Sequence, residues 1–352
     1  MKQPVSTKGF DFTIPVGTPT AGNAYLMRLT WPGTYLRCTT CRPAVLGPGI
    51  LLVLAACAGA RPRTASTNAA VTPNALDALV RARLDSLDAQ STFYAKQLTT
   101  GREVAVRADV PMNTASVIKL PVMLLAYRDA DAGRLDLDER YTIRPEDLRR
   151  GNGLLQTFAP GLQPTLRDLV TQMIVTSDNT ATDIMIGRVG LARVNRLLDS
   201  LGYRETRLRM TVGQVLSDSA ASHGVAFVLD STKWLGRTTA REIARLLEQL
   251  ERGELASPVS TSAMRRTLRQ QLYTSRLPQR VRFRVPIGHK TGDWPPYLAD
   301  DVGIMYAPAP TGPVVLAVFT NGNRGSFFDL EATEGRIAED VLNAWSGAPR
   351  TP

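Results

Sequence analysis

Apolar residues recur at intervals of three and four along some stretches of this chain and at intervals of two along others. Leu76, Leu79, Val80 and Leu84 mark a helix over 74–87. Two strand-like runs follow, 91–98 and 103–108, with Thr99-Thr100-Gly101 between them as a hairpin turn. A further helix is expected from Ser116 to about Asp131, with Pro121 near its first turn, where a missing N–H is tolerated. The middle of the chain is helical. Leu166, Leu169, Val170, Met173 and Ile174 form one apolar stripe, and Leu191, Val194, Leu197, Leu198 and Leu201 form another. Ile243, Leu246, Leu247 and Leu250 form a third, opened by Thr239 and Glu242 in capping-box spacing. Strand signals return late: Val281, Phe283, Val285 and Ile287 alternate towards Lys290, and runs at 301–306 and 313–320 flank the turn-rich 307–312. A last helix carries Ile337, Val341, Leu342 and Trp345. Strands at both ends with helices between them predict an α+β fold. One antiparallel sheet is built from N- and C-terminal strands, with flanking helices and an all-helical subdomain over about 110–275.

The start of the chain reads differently. Arg37 and Arg42 precede a short apolar run over 43–57 that small residues end, the pattern of a secretory signal and too short and punctuated to span a bilayer. Leu54-Ala55-Ala56-Cys57 resembles a bacterial lipobox, which implies export to the periplasm or envelope and a lipid anchor at Cys57; ordinary cleavage beyond Ala58 is the alternative. The expected organisation is therefore an extension and signal over 1–57, a tether over 58–73, a domain over 74–347 and a tail over 348–352.

Composition removes several kinds of chemistry. All three cysteines (Cys38, Cys41, Cys57) precede the domain, so the body has no disulfide and no thiol nucleophile, and no second pair completes a metal site around Cys38 and Cys41. Two histidines, His223 and His289, argue against a zinc hydrolase and leave little room for a Ser-His-Asp triad. No metal or other cofactor is expected. The net charge of +10 includes about +4 before residue 58. The remainder suits an anionic small substrate or surface and is too diffuse for nucleic acid. A monomer is expected.

Three short motifs carry the candidate chemistry. In Thr114-Ala115-Ser116-Val117-Ile118-Lys119-Leu120-Pro121, a helix places Ser116 and Lys119 one turn apart on one face. A serine hydroxyl becomes a useful nucleophile when an adjacent uncharged amine takes its proton. Taken alone, Ser-x-x-Lys reads first as a capped helix start with a solvated lysine. Ser177-Asp178-Asn179 follows the stripe ending at Ile174 and precedes a helix, so a tight loop can aim Ser177 and Asn179 into one cleft. Lys290-Thr291-Gly292 ends the late alternating run, with Lys290 and Gly292 on one strand face and glycine allowing close approach of a substrate backbone.

The combination Ser-x-x-Lys, Ser-Asp-Asn and Lys-Thr-Gly, in that order, resembles the serine β-lactamase and penicillin-binding transpeptidase superfamily, closest to the class A-like branch, over 74–345. The resemblance implies that fold and a small-molecule substrate, a β-lactam or peptidoglycan-like peptide. It implies Ser116 as the acylated nucleophile, Lys119 as its proton acceptor and Ser177 as proton relay to the leaving nitrogen. Asn179 would bind the substrate's side-chain amide, Lys290 would supply positive potential, and Thr291 would donate to a substrate carboxylate. The N–H groups of Ser116 and Asp293 would form the oxyanion hole, close beside Gly292. Two lysines in one cleft repel, which favours a neutral Lys119. Arg276 stands either as a carboxylate-holding group or as a solvated surface residue, and His289, on the opposite strand face from Lys290, reads as structural.

One departure limits the analogy. Class A enzymes carry Glu-x-x-Leu-Asn shortly after a Thr-Arg-Leu segment. Here Thr206-Arg207-Leu208 is followed by Arg209 to Leu216, with Val212 in the glutamate's place and no Leu-Asn. Glu205, Asp218 and Asp230 are the nearby carboxylates for activating a deacylating water, and each reads first as a surface group. The alternatives are a penicillin-binding, D,D-peptidase-like enzyme with slow deacylation and a non-catalytic envelope binding protein.

Overall fold

The computed structural model describes residues 73–219 and 224–346. The expected signal, the Cys57 motif, the tether to residue 72 and the tail at 348–352 lie outside the described residues. The first elements are α1 (Pro73–Asp85), β1 (Gln90–Gln97), β2 (Glu103–Val106), β3 (Met112–Asn113) and α2 (Lys119–Asp131). Then come α3 (Leu166–Val175), α4 (Asn179–Val189), α5 (Leu191–Ser200), β4 (Arg207–Leu208), α6 (Val212–Ser219) and α7 (Val225–Leu229). The chain continues through β5 (Gly236–Thr238), α8 (Ala240–Arg252), α9 (Pro258–Arg269), β6 (Ile287–Trp294), β7 (Leu298–Tyr306), β8 (Pro313–Asn321) and α10 (Phe327–Ser346).

The main sheet is antiparallel in the order β2-β1-β8-β7-β6, so the N-terminal hairpin joins the C-terminal strands through β1 and β8, from Gln90 opposite Asn321 to Gln97 opposite Val314. Both faces are covered, which explains the nearly unbroken apolar run of β8. Val314, Leu316 and Val318 pack with Val80 of α1 and Val341 of α10. Val315, Ala317 and Phe319 face the helical body between the two sets of strands. This is the α+β arrangement expected from the sequence, and it leaves β6 as the sheet edge beside that body.

Two local expectations need correction. Residues 281–285 are not strand: Val285 N–H donates to Val281 O at 3.0 Å and Arg282 N–H to Pro278 O at 3.0 Å, as in helical turns. Val281 and Val285 are buried four residues apart, while Phe283 is 88% exposed, so one face of a turn had mimicked alternation. In α8, Thr239 does cap by accepting from the Glu242 N–H at 3.1 Å. The Glu242 carboxylate instead takes the N–H groups of Arg204, Glu205 and Thr206 and the Thr206 hydroxyl, fastening the segment that leads into β4 and α6. A small sheet ordered β3-β5-β4 also forms from strands too short to show periodicity.

Candidate active site

Ser116 lies in a 3-10 turn, Ala115–Ile118, that runs directly into α2, so helical geometry sets Ser116 and Lys119 one turn apart. The turn is held from several sides. Ala115 N–H donates to Asn113 Oδ1 at 3.0 Å, and Asn113 N–H donates to Asn321 Oδ1 at 2.8 Å at the end of β8. Val117 N–H donates to Thr114 O at 2.8 Å. Ala115 has φ of 37°, a conformation that a non-glycine residue keeps only where its surroundings impose it. Ser116 is 8% exposed, and among the described residues its hydroxyl has no hydrogen-bond partner.

Lys119 is wholly buried. Its Nζ donates to Ser177 O at 2.7 Å and Asn179 Oδ1 at 3.1 Å and lies 3.2 Å from Ser177 Oγ, a hydroxyl that can donate to the neutral amine. Burial, followed by the charge of Lys290, drives its pKa well below the usual lysine range. Lys290 is also fully buried and donates to Ser177 Oγ at 3.0 Å and to Thr291 O at 2.7 Å. Burial brings its pKa down to about 7, against the opposing fields of Asp293 and Asp301. Ser177 Oγ is thus held between two lysine ammonium positions. Its own φ is 56°, a second left-handed non-glycine residue at the centre of the cleft.

The Ser-Asp-Asn segment divides its work among three side chains. Asp178 caps α4 by accepting from Ala181 N–H at 2.8 Å and also takes the Leu155 N–H at 2.8 Å. Asn179 donates from Nδ2 to Arg150 O at 2.9 Å and from its backbone to Asn152 O at 3.0 Å. The loop over 150–155 is thereby clamped over the cleft.

Thr291, Gly292 and Asp293 lie on edge strand β6, against which the Ser116 turn packs. A Cβ at Gly292 would stand 2.5 Å from the Thr114 carbonyl oxygen. The glycine therefore admits the chain's own nucleophile turn, where the sequence had suggested room for a substrate backbone. Thr291 Oγ1 is buried without a partner. His289 is buried with Nδ1 2.9 Å from Asp301 Oδ1, turned away from Ser177 as expected. Arg276 is not a solvated residue: its side chain is 4% exposed and paired with Asp293 and with Glu331.

Ser116 opens into a cavity of about 250 Å³. Asn152, Asn179 and Asp293 line its polar side, and Val212, Val215 and Leu235 line part of its apolar side. Phe227 and Trp294 close one wall with ring centroids 4.9 Å apart. Val212 faces this cavity as the alignment with Glu-x-x-Leu-Asn suggested, but the three candidate carboxylates do not. Glu205 pairs with Arg237 at 3.2 Å, Asp218 with Lys233 at 3.0 Å, and Asp230 caps its own turn at Thr232. Asp293 is the one carboxylate lining the cavity among the described residues.

Sequence reasoning missed Asn113, Asn152 and Asp183. Asp183 accepts from Val212 N–H at 2.7 Å, Gly213 N–H at 2.9 Å and Arg149 Nε at 2.7 Å, docking the start of α6 onto α4. Its position one helical turn beyond Asn179 was the available signal.

Comparison with known proteins agrees with this geometry. The family model described as the beta-lactamase enzyme family matches residues 74–345. A β-lactamase of Streptomyces fradiae is 29% identical over 297 residues, covering 80% of this chain and 90% of that protein. Among solved structures, a β-lactamase from Sphaerobacter thermophilus superimposes with a TM-score of 0.70 at 29% identity, over 80% of this chain and all of that one. The structure of PBP-A gives a TM-score of 0.67 at 25% identity, over 77% of this chain and 96% of that one. With its three motifs gathered around one cleft, this chain belongs to the beta-lactamase enzyme family.

Proposed function

We propose that the protein is a serine hydrolase that opens the β-lactam amide through an acyl-enzyme on Ser116. The observation that carries the reading is Ser177 Oγ held between the buried Lys119 and Lys290, with Ser116 one helical turn before Lys119 and opening into the cavity. Ser116 Oγ attacks the amide carbonyl carbon and its proton passes to the neutral Lys119 Nζ. The N–H groups of Ser116 and Asp293 take the charge that develops on the carbonyl oxygen. The C–N bond then breaks as Ser177 gives its proton to the leaving nitrogen and recovers one from Lys119. Lys290 in its cationic form steadies the relay, and Asn179 binds the acyl group's amide. Export and a lipid anchor at Cys57 belong to the same reading.

The cavity favours a second reading of the deacylation step. Water attack on the Ser116 ester needs a base, yet Glu205, Asp218 and Asp230 are engaged elsewhere and Asp293 is paired with Arg276. The acyl-enzyme is then long-lived, as in a penicillin-binding D,D-peptidase. Intact mass spectrometry of the mature protein with benzylpenicillin tests both steps. A covalent adduct that is absent in Ser116→Ala supports acylation, and its decay rate separates turnover from trapping. No adduct and no hydrolysis of a chromogenic cephalosporin refutes the assignment.

A further inference from the structure

The charges around β6 raise a question about what the site accepts. Arg276 Nε donates to Glu331 Oε1 at 3.2 Å, and Nη1 donates to Gly292 O at 3.1 Å and Asp300 O at 2.9 Å. Nη2 is ion-paired with Asp293. The guanidinium is nearly sealed from solvent and already holds two carboxylates. Asp293 has a side chain 12% exposed, lines the Ser116 cavity and brings Oδ2 to 3.5 Å from Asn152 Nδ2. Arg276 and Thr291 lie behind it. The lysine on the cavity lining that is not buried, Lys233, is paired with Asp218.

On a strand, Thr291 and Asp293 share a face two residues apart. A substrate carboxylate at this end of the cavity would stand beside the Asp293 carboxylate, with the nearest guanidinium already neutralised. Like charges in a partly desolvated cleft repel strongly, and an uncompensated charge facing one class of ligand is an effective way to reject it.

We propose that Asp293 is a specificity-determining residue: its carboxylate occupies the anion position at Arg276, so the site prefers acyl donors whose group on that side is uncharged, an ester or carboxamide, over those bearing a free carboxylate. This rests on the reading that cyclic amides enter the Ser116 cleft.

The test compares benzylpenicillin with its methyl ester at pH 6, where Lys290 carries its proton. Wild-type protein should be acylated by the ester at least about tenfold faster than by the acid, the size of one partly screened charge contact. Asp293→Asn keeps a hydrogen-bonding group at Arg276 and removes the charge. It should shift the acid-to-ester ratio of acylation rates towards the acid at least about tenfold, whatever common change the loss of its field at Lys290 brings to both compounds. Asp293→Glu, which retains the carboxylate, should keep the wild-type preference and serves if the asparagine variant does not fold. Wild-type preference for the acid, or an equal change for both compounds in Asp293→Asn, overturns the proposal.

Calorimetric binding in the Ser116→Ala protein removes the dependence on acylation. Ester-selective binding that Asp293→Asn abolishes supports the proposal even where neither compound acylates wild type, an outcome that refutes only the acylation reading. Binding without such discrimination, or no binding of either compound, overturns it.

Discussion

Substitution of Val212 by glutamate puts the deacylation argument to its strictest test. Val212 is 5% exposed, opens α6 and lines the same cavity as Ser116, and its N–H is fixed on Asp183 at 2.7 Å. The backbone should therefore hold the new side chain towards the acyl ester. Val215, Leu235 and Phe227 line the same cavity and disfavour a charged carboxylate, so its pKa should rise above the ordinary glutamate value. Once ionised, such a positioned general base contributes about 10²–10⁴-fold. The lower end, about 10²-fold faster loss of the penicillin adduct, is the expected gain, because water must still be ordered between base and ester. The deacylation rate should rise with pH as the carboxyl ionises. Burying the carboxyl should destabilise the fold by about 1–3 kcal/mol, more at high pH, because the folded form binds its proton more tightly than the unfolded form does. Val212→Gln supplies the shape without the base. Adduct decay in a folded Val212→Glu protein no faster than in Val212→Gln at any pH refutes the reasoning.

Other consequences are separable. In Gly292→Ala the methyl group meets the Thr114 carbonyl at 2.5 Å, so the nucleophile turn must move; acylation should fall by about 10²-fold while circular dichroism remains native. Lys290 is cationic below about 7 and neutral above it, so the acylation rate should fall as pH rises through about 7. Lys290→Arg should abolish that fall, and a wild-type profile flat from pH 6 to 9 would show that its charge is not used. Glu242→Ala strands three backbone N–H groups at 204–206 and should cost about 2–4 kcal/mol in urea unfolding at pH 7. Hydrogen bonds outweigh burial and hold the Glu242 pKa below 4.5. The stability it contributes is therefore present above the unfolded value and lost as pH falls through the lower folded one, so wild type and variant should converge in acid.

The legible parts of the sequence were those in which chemistry and local geometry coincide. Ser116 and Lys119 are joined by one helical turn, and Lys290 to Asp293 by a strand, so short spacings were enough to place them. Pairing of the two ends was also readable, because β1 and β8 carry strong strand patterns and the helical stripes lie between them. The turn at Val281 and Val285 misled because burial at every fourth residue also satisfies an alternation of two. The partners of Arg276 were not readable at all. Asp293 follows the third motif directly, but Glu331 comes from α10, and no periodicity marks an ion pair made across the fold. Gly292 was noticed for the right physical property, the absence of a side chain, and assigned to the wrong neighbour.

The same long-range placement explains how two buried lysines remain chemically useful. Lys119 and Lys290 are solvated mainly by neutral oxygens, the carbonyls of Ser177 and Thr291 and the hydroxyl of Ser177. A carboxylate in direct contact would have raised their pKa values and removed Lys119 as a base. The nearby carboxylates are each turned to another partner: Asp178 to the start of α4, Asp301 to His289, and Asp293 to Arg276. Their fields still act on the lysines at a distance, limiting the depression without forming an ion pair. The left-handed backbone at Ser177 aims its carbonyl at Lys119, so the local strain has a definite chemical return. Releasing Asp293 from Arg276 would therefore change more than substrate charge: it would alter the field that holds Lys290 near its present pKa, coupling specificity at the cavity edge to the protonation state of the relay.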